Sequence, residues 1–167
     1  MVNEKSTLIE LAENIGKCLQ ARQLRMACAE SCTGGWVAKV VTDIAGSSDW
    51  FDRGFVTYSN TAKSEMLGVN QQTLQRFGAV SEQTVIEMAK GAFERSDADI
   101  VVAISGIAGP GGGSVERPVG TVWFAWATHA SEKPQALVQI FAGDREEVRQ
   151  QSVEFALHGI LKRMSAS

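Results

Sequence analysis

The segment Ala29-Glu30-Ser31-Cys32-Thr33-Gly34-Gly35 sets a serine hydroxyl where an apolar run gives way to two glycines and then to an amphipathic stretch. This reads as strand, tight turn and helix. A hydroxyl at such a corner lies beside the first N–H groups of a helix, which have no intrahelical partner and carry the positive end of the helix dipole. Ser31 is therefore the candidate nucleophile, and the N–H groups around Cys32, Thr33, Gly34 and Gly35 are candidate donors to an oxyanion. A serine needs a base to become nucleophilic. The two histidines, His129 and His158, fall in a hairpin link and within the last helix, which argues against a Ser-His-Asp triad and against a histidine-rich metal site. The remaining familiar activator is a lysine held neutral by desolvation. Lys39, Lys90 and Lys133 lie away from the strand ends, whereas Lys63 follows closely on one, next to Tyr58, the only tyrosine. Tyr58 could orient a hydroxyl or relay a proton.

Each of these residues also has a purely structural use. Ser31 reads equally as a helix cap, Tyr58 as a half-buried strand residue, and Lys63 as an exposed helix lysine paired with Glu65 or Asp52.

The elements that must position them follow from periodicity and breakers. Apolar residues at Leu8, Ile9, Leu11, Ala12, Ile15 and Leu19 predict an amphipathic helix capped by Ser6 or Thr7. Leu24 to Ala29 predicts a first strand and Thr33 to Ile44 a helix closed near Gly46. Gly54 to Ser59 has the β-branched and aromatic content of a second strand. Short helices are expected over 61–67 and 71–77, each stopped by a glycine, and a longer one, capped by Ser81, to about Arg95. Ala98 to Ile104 is the clearest buried strand. It runs into Ser105-Gly106-Ile107-Ala108-Gly109-Pro110, a glycine-rich loop in which no helix fits. Val119 to Thr128 and Ala136 to Phe141 are joined by too few residues for a crossover helix, so they pair antiparallel. Asp144 caps a final helix reaching about Lys162.

This order implies an α/β fold, a three-layer α/β/α sandwich around a mostly parallel sheet with one strand reversed. Ligands of such sheets bind outside the carboxyl ends of the parallel strands. Ser31, Tyr58, the Ser105-Gly106 loop with Ala108, and the Gly143-Asp144-Arg145 segment then share one edge. That loop is not a P-loop, since no Gly-Lys-Ser/Thr and no helix follow it. Its glycines can still bring N–H groups up to an anion, and Arg145 is the candidate phosphate partner.

The 167 residues suit one domain spanning 1–167, and 44% hydrophobic content suffices for a core. A net charge of -3 and a pI near 5.4 argue against a protein devoted to nucleic acid or anionic membranes. The three cysteines match no zinc spacing and read as reduced thiols of a cytoplasmic protein, and the first residues resemble neither a signal peptide nor a membrane span. The four tryptophans, unaccompanied by a basic stripe, are read as core or subunit-contact residues.

Four segments together, the Glu-Ser-Cys-Thr-Gly-Gly corner, Gly54-Phe55-Val56-Thr57-Tyr58-Ser59-Asn60 with Lys63, Ser105 to Pro110, and Pro118-Val119-Gly120-Thr121-Val122, resemble the CinA C-terminal-domain family of nicotinamide-nucleotide amidases. The resemblance runs over nearly the whole chain and implies a five-stranded mixed sheet. It further implies hydrolysis of the carboxamide of nicotinamide mononucleotide to nicotinate mononucleotide and ammonia in pyridine-nucleotide recycling. It implies no cofactor, no metal and a homo-oligomer, in the stand-alone form that does without the molybdopterin-binding-like domain of longer members. The family's serine, tyrosine and lysine fall on Ser31, Tyr58 and Lys63. Two other readings stay open: a nucleotide-binding or regulatory relative without turnover, and an amidase acting on another nucleotide.

Overall fold

A computed structural model describes residues 4–166, with side chains from Thr7 onward. Helix α1 (Glu4–Arg22) leads into strand β1 (Met26–Glu30), helix α2 (Trp36–Thr42), a 3-10 turn at Ser47–Asp49 and strand β2 (Phe51–Val56). Three helices follow, α3 (Asn60–Leu67), α4 (Gln71–Phe77) and α5 (Glu82–Glu94), then strands β3 (Ile100–Gly106), β4 (Thr121–Thr128) and β5 (Gln135–Ile140), and helix α6 (Arg145–Ser165).

The sheet runs β2-β1-β3-β4-β5, with β1 parallel to β2 and β3, and β4 antiparallel to both of its neighbours. Only β4 is reversed, as the short hairpin link requires. Alternation along the strands separates two cores. Met26, Cys28, Ile100, Val102, Ile104, Phe124 and Trp126 face α1, α2 and α6, where the large side chains gather. Ala27, Ala29, Val101, Ala103, Ala125 and Ala127 face α5 on the other side. These small residues let α5 lie close to the sheet, and Gly91 lets α5 lie close to α3: a Cβ there would sit 1.9 Å from the Leu67 carbonyl oxygen.

Several boundaries differ from expectation, each for a backbone reason. Helix α1 starts at Glu4, so neither Ser6 nor Thr7 stands at its beginning. Strand β2 starts at Phe51, because the 3-10 turn returns the chain to the sheet there and Met26 pairs with Phe51. It ends at Val56; the next two carbonyls, of Thr57 and Tyr58, turn inward to a side chain instead of to the sheet. Helix α2 begins at Trp36 and not at Thr33, since Gly34 (φ 59°) and Gly35 (φ 98°) take left-handed conformations that close the turn first. Ser81 and Asp144 cap α5 and α6 as predicted, the latter in a full capping box with Glu147. Among the described residues, no helix is long and apolar enough to cross a membrane.

Candidate active site

Strand β1 delivers Ser31 at the carboxyl edge of the sheet, its N–H donating to the Ile104 carbonyl at 3.0 Å. Ser31 does not cap a helix. The residue before α2 is Gly35, without a side-chain cap. The leading N–H groups of α2 go instead to Glu30, a fully buried side chain. The Val37 N–H donates to Glu30 Oε1 at 2.8 Å and the Ala38 N–H to Oε2 at 3.2 Å, while the Thr33 hydroxyl gives a 2.7 Å bond to Oε1. The Cys28 thiol closes the set at 3.6 Å. Surrounded by donors, Glu30 acts only as an acceptor, a role that suits a carboxylate at a helix start. Sequence reasoning passed over it. The available signal was an acidic residue ending an apolar strand, just ahead of a Gly-Gly turn into a helix.

Lys63 comes from the opposite layer. Ser59 caps α3 by accepting from the Ala62 N–H, and this places Lys63 one turn in, pointing under the sheet edge with only 1% of its surface exposed. Its Nζ lies 3.0 Å from Ser31 Oγ and donates to the carbonyls of Thr57 at 2.9 Å and Tyr58 at 3.0 Å. Neither Glu65 nor Asp52 is its partner; Asp52 pairs with Arg25 and Arg53. Burial away from water, with no carboxylate partner to offset it, lowers the ammonium to a pKa of about 8. An amine with two N–H groups given to two carbonyls has its lone pair left for Ser31 Oγ–H. That is the arrangement of a general base. Cys32, the neighbouring sulfur nucleophile by type, is not equivalent: burial pushes its thiol up to about 11, so it is protonated at neutral pH.

Tyr58 enters this arrangement through its backbone. Its carbonyl holds Lys63, while its largely exposed phenol accepts from Arg145 Nη2 at 3.2 Å. Arg145, set at the first turn of α6 by the capping box, also donates to the Gly109 carbonyl at 2.7 Å. It thereby joins the glycine-rich loop to the Tyr58 segment.

These groups border a small cleft of about 190 Å³. Ser31, Cys32, Tyr58, Lys63, Ser105, Gly106, Ala108 and Arg145 line it, as the shared edge predicts. Ala79 and Val80, from the link between α4 and α5, complete the wall; no chemical signal marks them in the sequence. Ser105 Oγ fixes them by donating to the Ala79 carbonyl at 2.8 Å. Thr33, Gly34 and Gly35 stand behind the lining. Thr33 is spent on Glu30, and the Gly34 N–H donates to the Ser31 carbonyl at 3.0 Å. Among the described residues, no cluster of three or more His, Cys, Asp or Glu side chains is placed to share a metal ion.

Comparison with known proteins gives concordant findings. Residues 8–164 match the model of the CinA C-terminal domain family. The chain is 59% identical over 152 residues to the nicotinamide-nucleotide amidohydrolase PncC of Escherichia coli K12, covering 91% of this chain and 92% of that one. Among solved structures it is similar to a competence/damage inducible protein from Agrobacterium tumefaciens, with a TM-score of 0.88 at 46% identity over 93% of this chain and 94% of the other. A CinA superfamily protein from Escherichia coli superposes with a TM-score of 0.89 at 42% identity over 97% and 93% of the two chains.

Proposed function

The chain belongs to the CinA C-terminal domain family, and we propose that it is a nicotinamide-nucleotide amidase, a hydrolase that converts nicotinamide mononucleotide and water to nicotinate mononucleotide and ammonia. The observation that carries the mechanism is the 3.0 Å approach of Lys63 Nζ to Ser31 Oγ inside a carbonyl-lined pocket. Neutral Lys63 takes the Ser31 proton as Oγ attacks the carboxamide carbon. The oxyanion is met by the N–H of Cys32, the residue of the Cys32 to Gly35 turn that lines the cleft, a donor of this kind typically contributing about 3 kcal/mol. Lys63 passes the proton to departing ammonia. Water, deprotonated by the same amine, then releases the acyl group from Ser31. Tyr58 and Arg145 border the mouth, where the guanidinium and the Gly106 loop receive the ribose phosphate. Residues 1–167 act as one amidohydrolase domain.

The remaining expectations belong to the same reading. The free thiols Cys18, Cys28 and Cys32 suit a reducing cytoplasm, and the partly exposed Trp36 and Trp123 offer surface to further copies of the chain in a homo-oligomer.

The test is ammonia release from nicotinamide mononucleotide, its riboside and free nicotinamide, using pure protein. Turnover of the mononucleotide alone, abolished by Ser31→Ala and by Lys63→Ala, is the expected result. Near wild-type turnover in either variant removes the Ser-Lys assignment. No turnover of any of the three by the wild type favours a binding relative, and preference for a different nucleotide amide redefines the substrate.

A further inference from the structure

Helix α6 carries two arginines one turn apart, and they serve different segments. Arg145 stands at the cleft mouth. Arg149 is half-buried, and among the described residues it does not belong to the cleft lining. Its Nε donates to the Cys32 carbonyl at 3.0 Å and its Nη2 to the Thr33 carbonyl at 3.2 Å, while its guanidinium carbon lies 5.4 Å from the Trp36 ring centroid. A planar guanidinium that feeds two consecutive carbonyls holds two peptide planes together.

The consequence for Ser31 follows from peptide geometry. In a planar trans peptide the N–H points opposite to the C=O, so holding the Cys32 carbonyl sets the direction of the Thr33 N–H, and holding the Thr33 carbonyl sets that of the Gly34 N–H. The Gly34 N–H is the group that closes the turn on the Ser31 carbonyl. Glu30 grips the same segment through the Thr33 hydroxyl and the N–H groups of Val37 and Ala38. The turn is thus held by its carbonyls from α6 and by its donors from β1. Gly34 and Gly35, both in the left-handed region, supply no side chain to stiffen it.

We propose that Arg149 is a positioning residue for the nucleophile: by holding the Cys32 and Thr33 carbonyls it keeps Ser31 Oγ at reacting distance from Lys63 without touching the substrate. The inference rests on the amidase reading above and sharpens it. Lysine at this position supplies a single flexible ammonium in place of the fork, and methionine keeps the stem against Trp36 with no donor at all.

The experiment compares Arg149→Lys and Arg149→Met with wild type in three measurements: kcat and KM for ammonia release from nicotinamide mononucleotide, thermal midpoint, and the rate at which a fluorophosphonate probe labels Ser31, read by mass spectrometry. Expected is a fall in kcat and in Ser31 labelling together, about tenfold to hundredfold and larger for Met than for Lys, as for a reacting group displaced by about 1 Å. KM should stay within about twofold, because no substrate contact is lost. Wild-type kcat and labelling in folded variants overturn the proposal. So does a rise confined to KM, which makes Arg149 a substrate ligand, or a lowered midpoint with unchanged kcat per folded molecule. If wild-type Ser31 is labelled, labelling slows in both variants, and no ammonia is released by any of the proteins, the amidase reading fails while the positioning role stands. If wild-type Ser31 neither turns over nor labels, both fall.

Discussion

Ser31 Oγ and Lys63 Nζ, 32 positions apart in the chain, meet at 3.0 Å in a site where the lysine's other two partners are the carbonyls of Thr57 and Tyr58. Acceptors surround the amine and no carboxylate balances it, so burial decides its protonation. With its pKa lowered to about 8 from 10.5, the neutral form is about a tenth of the enzyme at pH 7 and about nine-tenths at pH 9. If neutral Lys63 is the base, kcat rises about tenfold across that interval and levels off above it. A pH profile of ammonia release measures this; a flat or falling profile between pH 7 and 9 removes the neutral amine from the mechanism. Stability follows the same sign. The folded protein gives up the Lys63 proton before the unfolded chain does, so stability rises with pH between about 8 and 10.5, and Lys63→Met should flatten that part of the curve.

Arg145 bridges the Tyr58 phenol and the Gly109 carbonyl at the mouth of the cleft. In the proposed role of phosphate ligand it would act on the ground state and the transition state alike. Arg145→Ala should raise KM for the mononucleotide about tenfold to hundredfold, the equivalent of losing one charged hydrogen-bonding partner at about 1.5–3 kcal/mol, with kcat little changed. An unchanged KM assigns the phosphate elsewhere.

Glu30→Gln keeps size and shape but turns an amide NH2 toward the Ala38 N–H and the Cys28 thiol, both donors. The mismatch should lower stability by about 1–3 kcal/mol in chemical denaturation. Wild-type stability in this variant would mean that the start of α2 is held by other groups.

Gly91→Ala forces a methyl against the Leu67 carbonyl, where 1.9 Å is available. Helix α3 must move off α5, and Lys63 lies one turn before Leu67 on that helix. A loss of about 1–3 kcal/mol, as for an overpacked core, should accompany lower kcat. Normal activity at reduced stability would show that Lys63 is held by its carbonyl partners independently of this contact.

The Ser31 corner is legible from local pattern: an apolar strand, small polar residues and two glycines ahead of an amphipathic run mark the turn, and the shortage of suitably placed histidines points to Lys63 as the candidate base. The order of elements also predicts the reversed β4 and the shared edge, because hairpin length and strand polarity are local facts with global consequences. Boundaries are less legible, since ladder pairing in β2 begins at Phe51, ahead of the expected strand, and the left-handed glycines delay α2 to Trp36. Tyr58 illustrates the deeper limit. Its residue type suggests a phenol at work on the serine, yet its carbonyl holds Lys63 and its phenol meets Arg145.

The sequence alone determines which candidate nucleophile and which candidate base are available and which edge of the sheet they reach. Tertiary structure decides the rest: that Lys63 is buried among carbonyls instead of paired at the surface, that Glu30 takes the start of α2, and that Arg149 holds the serine's turn from α6. Those contacts join separate elements and loops, from 5 residues apart for Lys63 and Tyr58 to 117 for Arg149 and Cys32, and backbone carbonyls and N–H groups carry most of them. Every residue type brings the same backbone groups, so only the folded path of the chain distinguishes which of them a buried side chain will meet.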